Sequence, residues 1–222
     1  MSNKCIFSGI GKHPEDCDGT CYPSVLAYGL NGDGGFMYAS NIPKKFKNNF
    51  LEDLPIKENN PEAYAVAKAY IKDVINFVER GVGLFFYSIP NSENKRGTGT
   101  GKTHTASTIA NEYIKARIVK HLIGEKQIET QPALFIRMAE FQNTYNKQFR
   151  GGFEEQEQAS IKFNNMMKRM EQAELLVIDD ISLRSFTEAM TNFIYEILYE
   201  SYINVKPVIF TSNYPIEKIG EI

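Results

Sequence analysis

Four short runs, GLFFYSI, ALFIRM, LLVIDDI and PVIFTSN, are apolar at nearly every position, and longer segments with helical spacing separate them. A strand with one wet face alternates apolar and polar residues, whereas a strand apolar throughout has both faces covered. Short apolar strands alternating with helices therefore predict a parallel sheet between two helical layers, a three-layer α/β fold. With 222 residues, 42% of them hydrophobic, the chain is long enough to bury such a core and carry a small accessory piece besides. Ahead of the first run, Ala63, Ala67, Tyr70, Ile71, Val74, Ile75 and Val78 recur at helical spacing between Asn60-Pro61, a cap and first-turn proline, and Gly81, a stop; one amphipathic helix is expected there. Further helices are expected over TGKTHTASTIANEYIKARIVKHL, AEFQNTYNKQF, ASIKFNNMMKRMEQA and TEAMTNFIYEILYESYI.

Between the first strand and the second helix stands KRGTGTGKTHTAS. In a loop of the G-x4-G-K-[ST] kind, glycines let backbone N–H groups point at phosphates, the lysine reaches the β and γ oxygens, and the hydroxyl residue binds magnesium. Gly99, Gly101, Lys102 and Thr103 fit that pattern, and the loop opens a helix whose N-terminal dipole favours anions. Gly97, Thr98, Thr100 and His104 complete the expected ATP-binding stretch. Arg96 stands where such a loop usually has its first glycine, so a changed entrance shape is expected with the phosphate-contacting side intact. The alternative is a glycine-rich turn with a solvent lysine.

LLVIDDI ends in Asp179-Asp180. A buried strand that delivers two carboxylates at its C-terminal end places them at the ligand crevice of an open α/β sheet. Asp179 is expected to hold Mg2+ through water and Asp180 to orient or deprotonate the attacking water. Asn213, ending the last apolar run, is a candidate to sense the γ phosphate, although asparagine also commonly ends strands in turns. Ser185 and Glu188 read as a capping box.

All three cysteines, Cys5, Cys17 and Cys21, fall near the N-terminus with His13. Three thiols and an imidazole among turn-forming residues suit a tetrahedral Zn2+ site, which would supply most of the order of so short a segment. The x3 spacings depart from the usual Cys-x2-Cys knuckle, and Asp16 or Asp18 is an alternative fourth ligand. Glycines between Gly29 and Gly35 mark a junction, so residues 1–35 are expected to form a small Cys/His-rich domain and residues 36–222 the main one.

The formal net charge of −2 gives no general attraction to nucleic acid, and any DNA contact needs a local patch. IPKKFK, ENKR and MMKRM are the basic clusters; Arg137, Lys147, Arg150 and Tyr145 are candidates for gripping and stacking on a single strand. The apolar runs are too short to span a bilayer, and MSNKCIFSG lacks the order of a signal peptide, which together point to a cytoplasmic protein without a membrane partner.

GTGTGKTHTAS, LLVIDDIS followed by FTE, VIFTSNYPIEKI and the upstream ASNIPKKFKNNFLEDLP together resemble helicase loaders of the DnaC/DnaI type, an AAA+ ATPase family, especially the versions carried by phages and prophages. The resemblance runs from about Ala39 to the end. It implies an ATP-bound assembly in the bacterial cytoplasm that self-associates, engages a replicative hexameric helicase of the DnaB type, and helps place it on single-stranded DNA. It also matches Asn213 to the family's sensor asparagine and the N-terminal piece to a helicase-contacting domain. Two departures follow. Asp180 stands where many AAA+ proteins have glutamate, and the sequence stops at Ile222, where loaders usually continue through a trans-acting arginine and a second sensor. The expectation is ATP binding with weak hydrolysis and no assigned arginine finger, Arg184 and Arg137 being unsupported. Two rivals stand beside the loader: a transposition-helper ATPase of the IstB type, and a module that holds nucleotide and works by contacting a helicase.

Overall fold

A computed structural model gives the structure of residues 5–8, 20–89, 92, 94–95, 97–181 and 188–216. In chain order the helices and strands are α1 (Tyr22–Tyr28), α2 (Gly35–Ala39), α3 (Ile56–Asn59), α4 (Pro61–Lys72), α5 (Val74–Glu79), β1 (Leu84–Tyr87), α6 (Lys102–Leu122), β2 (Ala133–Arg137), α7 (Met138–Lys147), α8 (Phe153–Gln172), β3 (Leu175–Asp179), α9 (Glu188–Ile203) and β4 (Val208–Ser212). The four strands are the four apolar runs. They form a parallel sheet in the order β1-β4-β3-β2, with Ala133 opposite Leu175, Leu176 opposite Val208 and Leu84 opposite Ile209.

Strand residues point alternately to the two faces. Ala133, Phe135, Leu175, Val177 and Ile209 share one buried cluster with α6 residues Ile109, Tyr113 and Ile114. Their neighbours Leu134, Ile136, Leu176, Ile178 and Val208 share the other, with Phe141, Phe163 and Ile197 from α7, α8 and α9. Both faces are covered, which is why the runs carry no polar alternation, and the three-layer α/β expectation is met. Phe7, Ala27 and Met37 join the α6-side cluster. The outer edge of β2 is met by the stretch after α2, where the Phe135 N–H donates to the Ser40 carbonyl at 2.7 Å. Among the described residues no helix is long and apolar enough to cross a membrane.

Two helix expectations need correction. The single helix expected over 61–80 is two, because Asp73 leaves helical geometry (φ −129°, ψ 32°) between α4 and α5, its carboxylate accepting from the Asn76 side chain at 2.5 Å. Apolar spacing does not register a break of this kind, since the apolar repeat runs on through it. Helix α8 starts at Phe153, six residues before the apolar repeat, where Glu155 reaches back to the Gly152 N–H at 3.0 Å. A polar first turn closed by such a cap needs no apolar face.

Helix α6 and strand β3 are also tied far from the loop. Arg117, 1% exposed, donates from Nε and Nη2 to the Glu174 carboxylate at 2.5 and 2.9 Å, and from Nη2 to the Gln127 carbonyl at 3.0 Å. The Tyr113 hydroxyl donates to the same carboxylate at 2.5 Å. Hydrogen bonding to Glu174 raises the Arg117 pKa against the opposing effect of burial.

Candidate functional site

The loop after β1 is glycine-rich because its backbone demands it. Gly99 and Gly101 sit at φ 74° and 88°, the left-handed region that side chains rarely adopt, and a Cβ on Gly101 would overlap Ile56 Cγ2. Gly101 is the N-cap of α6, so Lys102 and Thr103 open the helix beside its free N–H groups. The Lys102 ammonium donates to Ser88 Oγ at 2.7 Å, to the Gly97 carbonyl at 2.9 Å and to Thr100 Oγ1 at 3.2 Å. Ser88, directly after β1, donates its own hydroxyl hydrogen bond to the Gly97 carbonyl. Partial burial lowers the lysine pKa, while the charges of Asp180 and Asp179 oppose that shift.

The second half of the site comes from the carboxyl ends of β3 and β4. Asp179 is buried, and its Oδ1 accepts from Thr103 Oγ1 at 2.8 Å and from Thr211 Oγ1 at 2.7 Å. Desolvation raises its pKa, partly offset by those two hydroxyls. Asp180 is exposed, at φ 59°; its N–H donates to Thr211 Oγ1 at 2.8 Å and its Oδ1 accepts from Asn213 Nδ2 at 3.2 Å. The residues singled out in the sequence thus converge: Thr98 to His104, Asp179, Asp180 and Asn213 all line one cleft of ≈ 430 Å³. Gly97 sits behind it, held by Ser88 and Lys102. A hydroxyl and a carboxylate 2.8 Å apart are hard oxygen donors that suit Mg2+.

His104 also has a second set of contacts. Its ring lies 4.9 Å from that of Phe46, and Asn49 Nδ2 is 2.6 Å from its Nε2. Burial lowers its pKa, which favours the neutral ring with Nε2 accepting. Asn111 fastens the same segment by donating to the carbonyls of Phe46 and Asn49 at 2.7 and 2.9 Å. Lys45, Phe46 and Pro55 thereby wall the cleft. The sequence had marked IPKKFK as a basic cluster and as part of the family resemblance, not as a wall of the cleft. Ser88 and Thr211 were also missed, since a hydroxyl ending an apolar strand gives no signal until the strands are aligned.

The other candidates divide. Arg137 and Lys147, with Lys162, line a separate cleft of ≈ 350 Å³ between α7 and α8, and Arg137 pairs with Glu140 at 2.8 Å. Arg150 is exposed. Tyr145 is packed among Phe149, Phe163 and Phe193, with ring centroids 5.2–5.5 Å away, and so serves the aromatic core of that layer. Cys5 and Cys21 are partly buried, whereas His13 and Cys17, like Arg96 and Arg184, lie outside the described residues. Among the described residues no group of three or more His, Cys, Asp or Glu is placed to hold a metal ion, so a zinc centre receives no support from them.

No protein-family model and no curated protein matches the sequence. Solved structures do match in fold. The DnaC helicase loader superposes with a TM-score of 0.51 at 20% identity, covering 78% of this chain and 81% of that one. DnaI gives a TM-score of 0.54 at 17% identity, covering 82% and 80%. A replication initiator DnaA bound to AMPPCP and single-stranded DNA gives 0.52 at 18%, covering 81% of this chain and 45% of that one. The chain thus spans less than half the length of that DnaA structure. The likeness is one of fold, and it includes the DnaC and DnaI structures that the motifs resemble.

Proposed function

We propose that the chain binds ATP with Mg2+ in the cleft between the phosphate loop and the aspartate pair, and acts as an ATP-dependent loader for a replicative hexameric helicase on single-stranded DNA. The observation that carries the nucleotide half is the Thr103–Asp179 contact, which joins residues 76 positions apart in sequence at the carboxyl end of the central strands. The fold shared with the DnaC helicase loader and DnaI supports the helicase half.

In this reading the α6 N-terminus and loop amides cradle the phosphates. Lys102 exchanges Ser88, Gly97 and Thr100 for β and γ oxygens. Mg2+, held by Thr103 and by Asp179 through water, would neutralise charge on the phosphates. Asp180, steadied by Asn213, orients the attacking water, and its shorter reach than glutamate makes hydrolysis slow. Phe46 and Lys45 flank the nucleotide. The cleft bearing Arg137, Lys147 and Lys162 is the surface for a single strand, a class of ligand that the similar DnaA holds. Residues 1–35 form the helicase-contacting unit, with Zn2+ at Cys5, His13, Cys17 and Cys21 as its proposed metal, and metal analysis of the purified protein tests that assignment. The loader self-associates in the ATP state and works in the bacterial cytoplasm.

The deciding experiment is capture of a purified DnaB-type helicase by the tagged chain in ATP and in ADP, with Lys102→Ala alongside. ATP-dependent capture that Lys102→Ala abolishes is expected, together with a tenfold to hundredfold loss of affinity for a fluorescent ATP analogue in that variant, about the worth of one charged hydrogen-bonding group. Equal capture in both nucleotides and in the variant would reject the ATP-dependent loader.

A further inference from the structure

Asp179 ends β3 and Asp180 follows it; had the strand continued, the two side chains would point to opposite faces. Both nevertheless line the same cleft. The chain manages this by leaving extended geometry at Asp180, whose φ of 59° turns its carboxylate back toward the site. Aspartate tolerates the left-handed region better than most side chains, but still at a penalty that the surroundings must offset.

The surroundings are the last residues of β4. Thr211 Oγ1 accepts the Asp180 N–H at 2.8 Å and donates to Asp179 Oδ1 at 2.7 Å. The Thr211 carbonyl accepts the Ile181 N–H at 2.9 Å, Ser212 Oγ donates to the Ile181 carbonyl at 2.9 Å, and Asn213 Nδ2 reaches Asp180 at 3.2 Å. Every residue of the Thr-Ser-Asn run bonds the turn that follows β3. A hydroxyl has one proton and two lone pairs. One lone pair of Thr211 Oγ1 receives the Asp180 N–H, and because a carboxylate can only accept, the hydroxyl proton is the one directed at Asp179.

We infer that Thr211 is a positioning residue for the metal-nucleotide site: its hydroxyl fixes the Asp179 carboxylate for Mg2+ and holds the turn that brings Asp180 onto the same side. Thr211 is 1% exposed and borders the cleft beside Asp179 and Asp180, and it acts through those two aspartates. The inference rests on the reading of the cleft as a Mg2+-nucleotide site and adds a residue to it. Valine has threonine's shape without the hydroxyl, so Thr211→Val removes both bonds and keeps the packing.

The test measures affinity for a fluorescent ATP analogue in Mg2+ and in EDTA for the wild type, Thr211→Val and Thr211→Ser, with thermal melting as the check on folding. Thr211→Val is expected to lose about tenfold of the gain that Mg2+ confers, the scale of one hydrogen bond to a charged group. Its affinity in EDTA stays within about twofold, since the loop and Lys102 are untouched, and Thr211→Ser restores the Mg2+ gain. If the valine variant melts below the assay temperature, Thr211→Ala carries the same expectation. A valine or alanine variant with the full wild-type gain overturns the role of Thr211 alone, as does equal loss in Mg2+ and EDTA. A wild-type protein with no Mg2+-dependent gain removes the site reading and this inference together.

Discussion

Asp179 and Lys102 are both charged groups held partly out of water, and burial shifts each toward its neutral form. For Asp179 the folded pKa is raised, so its contribution to stability is full below the ordinary carboxylate range and is lost as pH rises through the raised value. For Lys102 the folded pKa is lowered, so its contribution is present above the ordinary lysine range and lost as pH falls through the lowered value. Near neutral pH the site is therefore held against a local electrostatic penalty, as sites tuned for binding commonly are. Asp179→Asn keeps an oxygen for Thr103 and Thr211 while removing the charge. It is expected to raise the melting temperature of the ligand-free protein by about 2–4 °C, the response of a chain this size to ~1 kcal/mol, while abolishing stabilisation by Mg2+-nucleotide. Calorimetry with and without ligand checks both halves. At this scale the sequence was legible where the candidate residues are adjacent: Gly99 to Thr103 and the Asp179-Asp180 pair could be picked out as candidates from the motif alone, and Asn213 with the help of the family resemblance. Thr211, Ser88 and Phe46 could not, because their roles exist only once β4, β1 and the 44–53 segment lie against the loop.

Among the elements, α6 does the most. Its first turn presents Lys102 and Thr103, its middle buries Ile109, Tyr113 and Ile114 against the sheet, and its later turns hold Arg117 on Glu174. Removing one partner of a buried pair leaves the other charge uncompensated, so Arg117→Ala is expected to destabilise the fold by about 3 kcal/mol in urea unfolding. Replacing both partners, as in Arg117→Met with Glu174→Met, is expected to lose less than the single alanine change, since no lone charge remains. The elements themselves were legible wherever apolar spacing was their cause, as in all four strands and the body of α6. They were misread where something other than apolar spacing decided the boundary, the break in backbone geometry at Asp73 between α4 and α5 and the polar cap made by Glu155 opening α8.

For the whole molecule, the two apolar clusters share their strands residue by residue, so neither can lose its packing while the other keeps it. One thermal transition is expected for the sheet and its covering helices, and Mg2+-ATP analogue at a hundred times its Kd should move it upward by about 5–10 °C, corresponding to ~2.7 kcal/mol of linkage. Two separate transitions, only one of them ligand-sensitive, would contradict this coupling. The three-layer arrangement was readable from the apolar runs; the strand order was not, because β4 enters between β1 and β3 from the far end of the sequence.

Besides the apolar packing between them, α6 is hydrogen-bonded to both ends of the β3 segment, Thr103 to Asp179 at one end and Arg117 to Glu174, the residue before the strand, at the other, about 21 Å apart along the helix. Two rigid members braced at top and bottom make a frame that resists shear. A cleft braced in this way is expected to behave as an anvil rather than a jaw, keeping the spacing of loop and strands when an anion enters and leaving any rearrangement to the small turn at 179–181 and the tip of β4 that grips it.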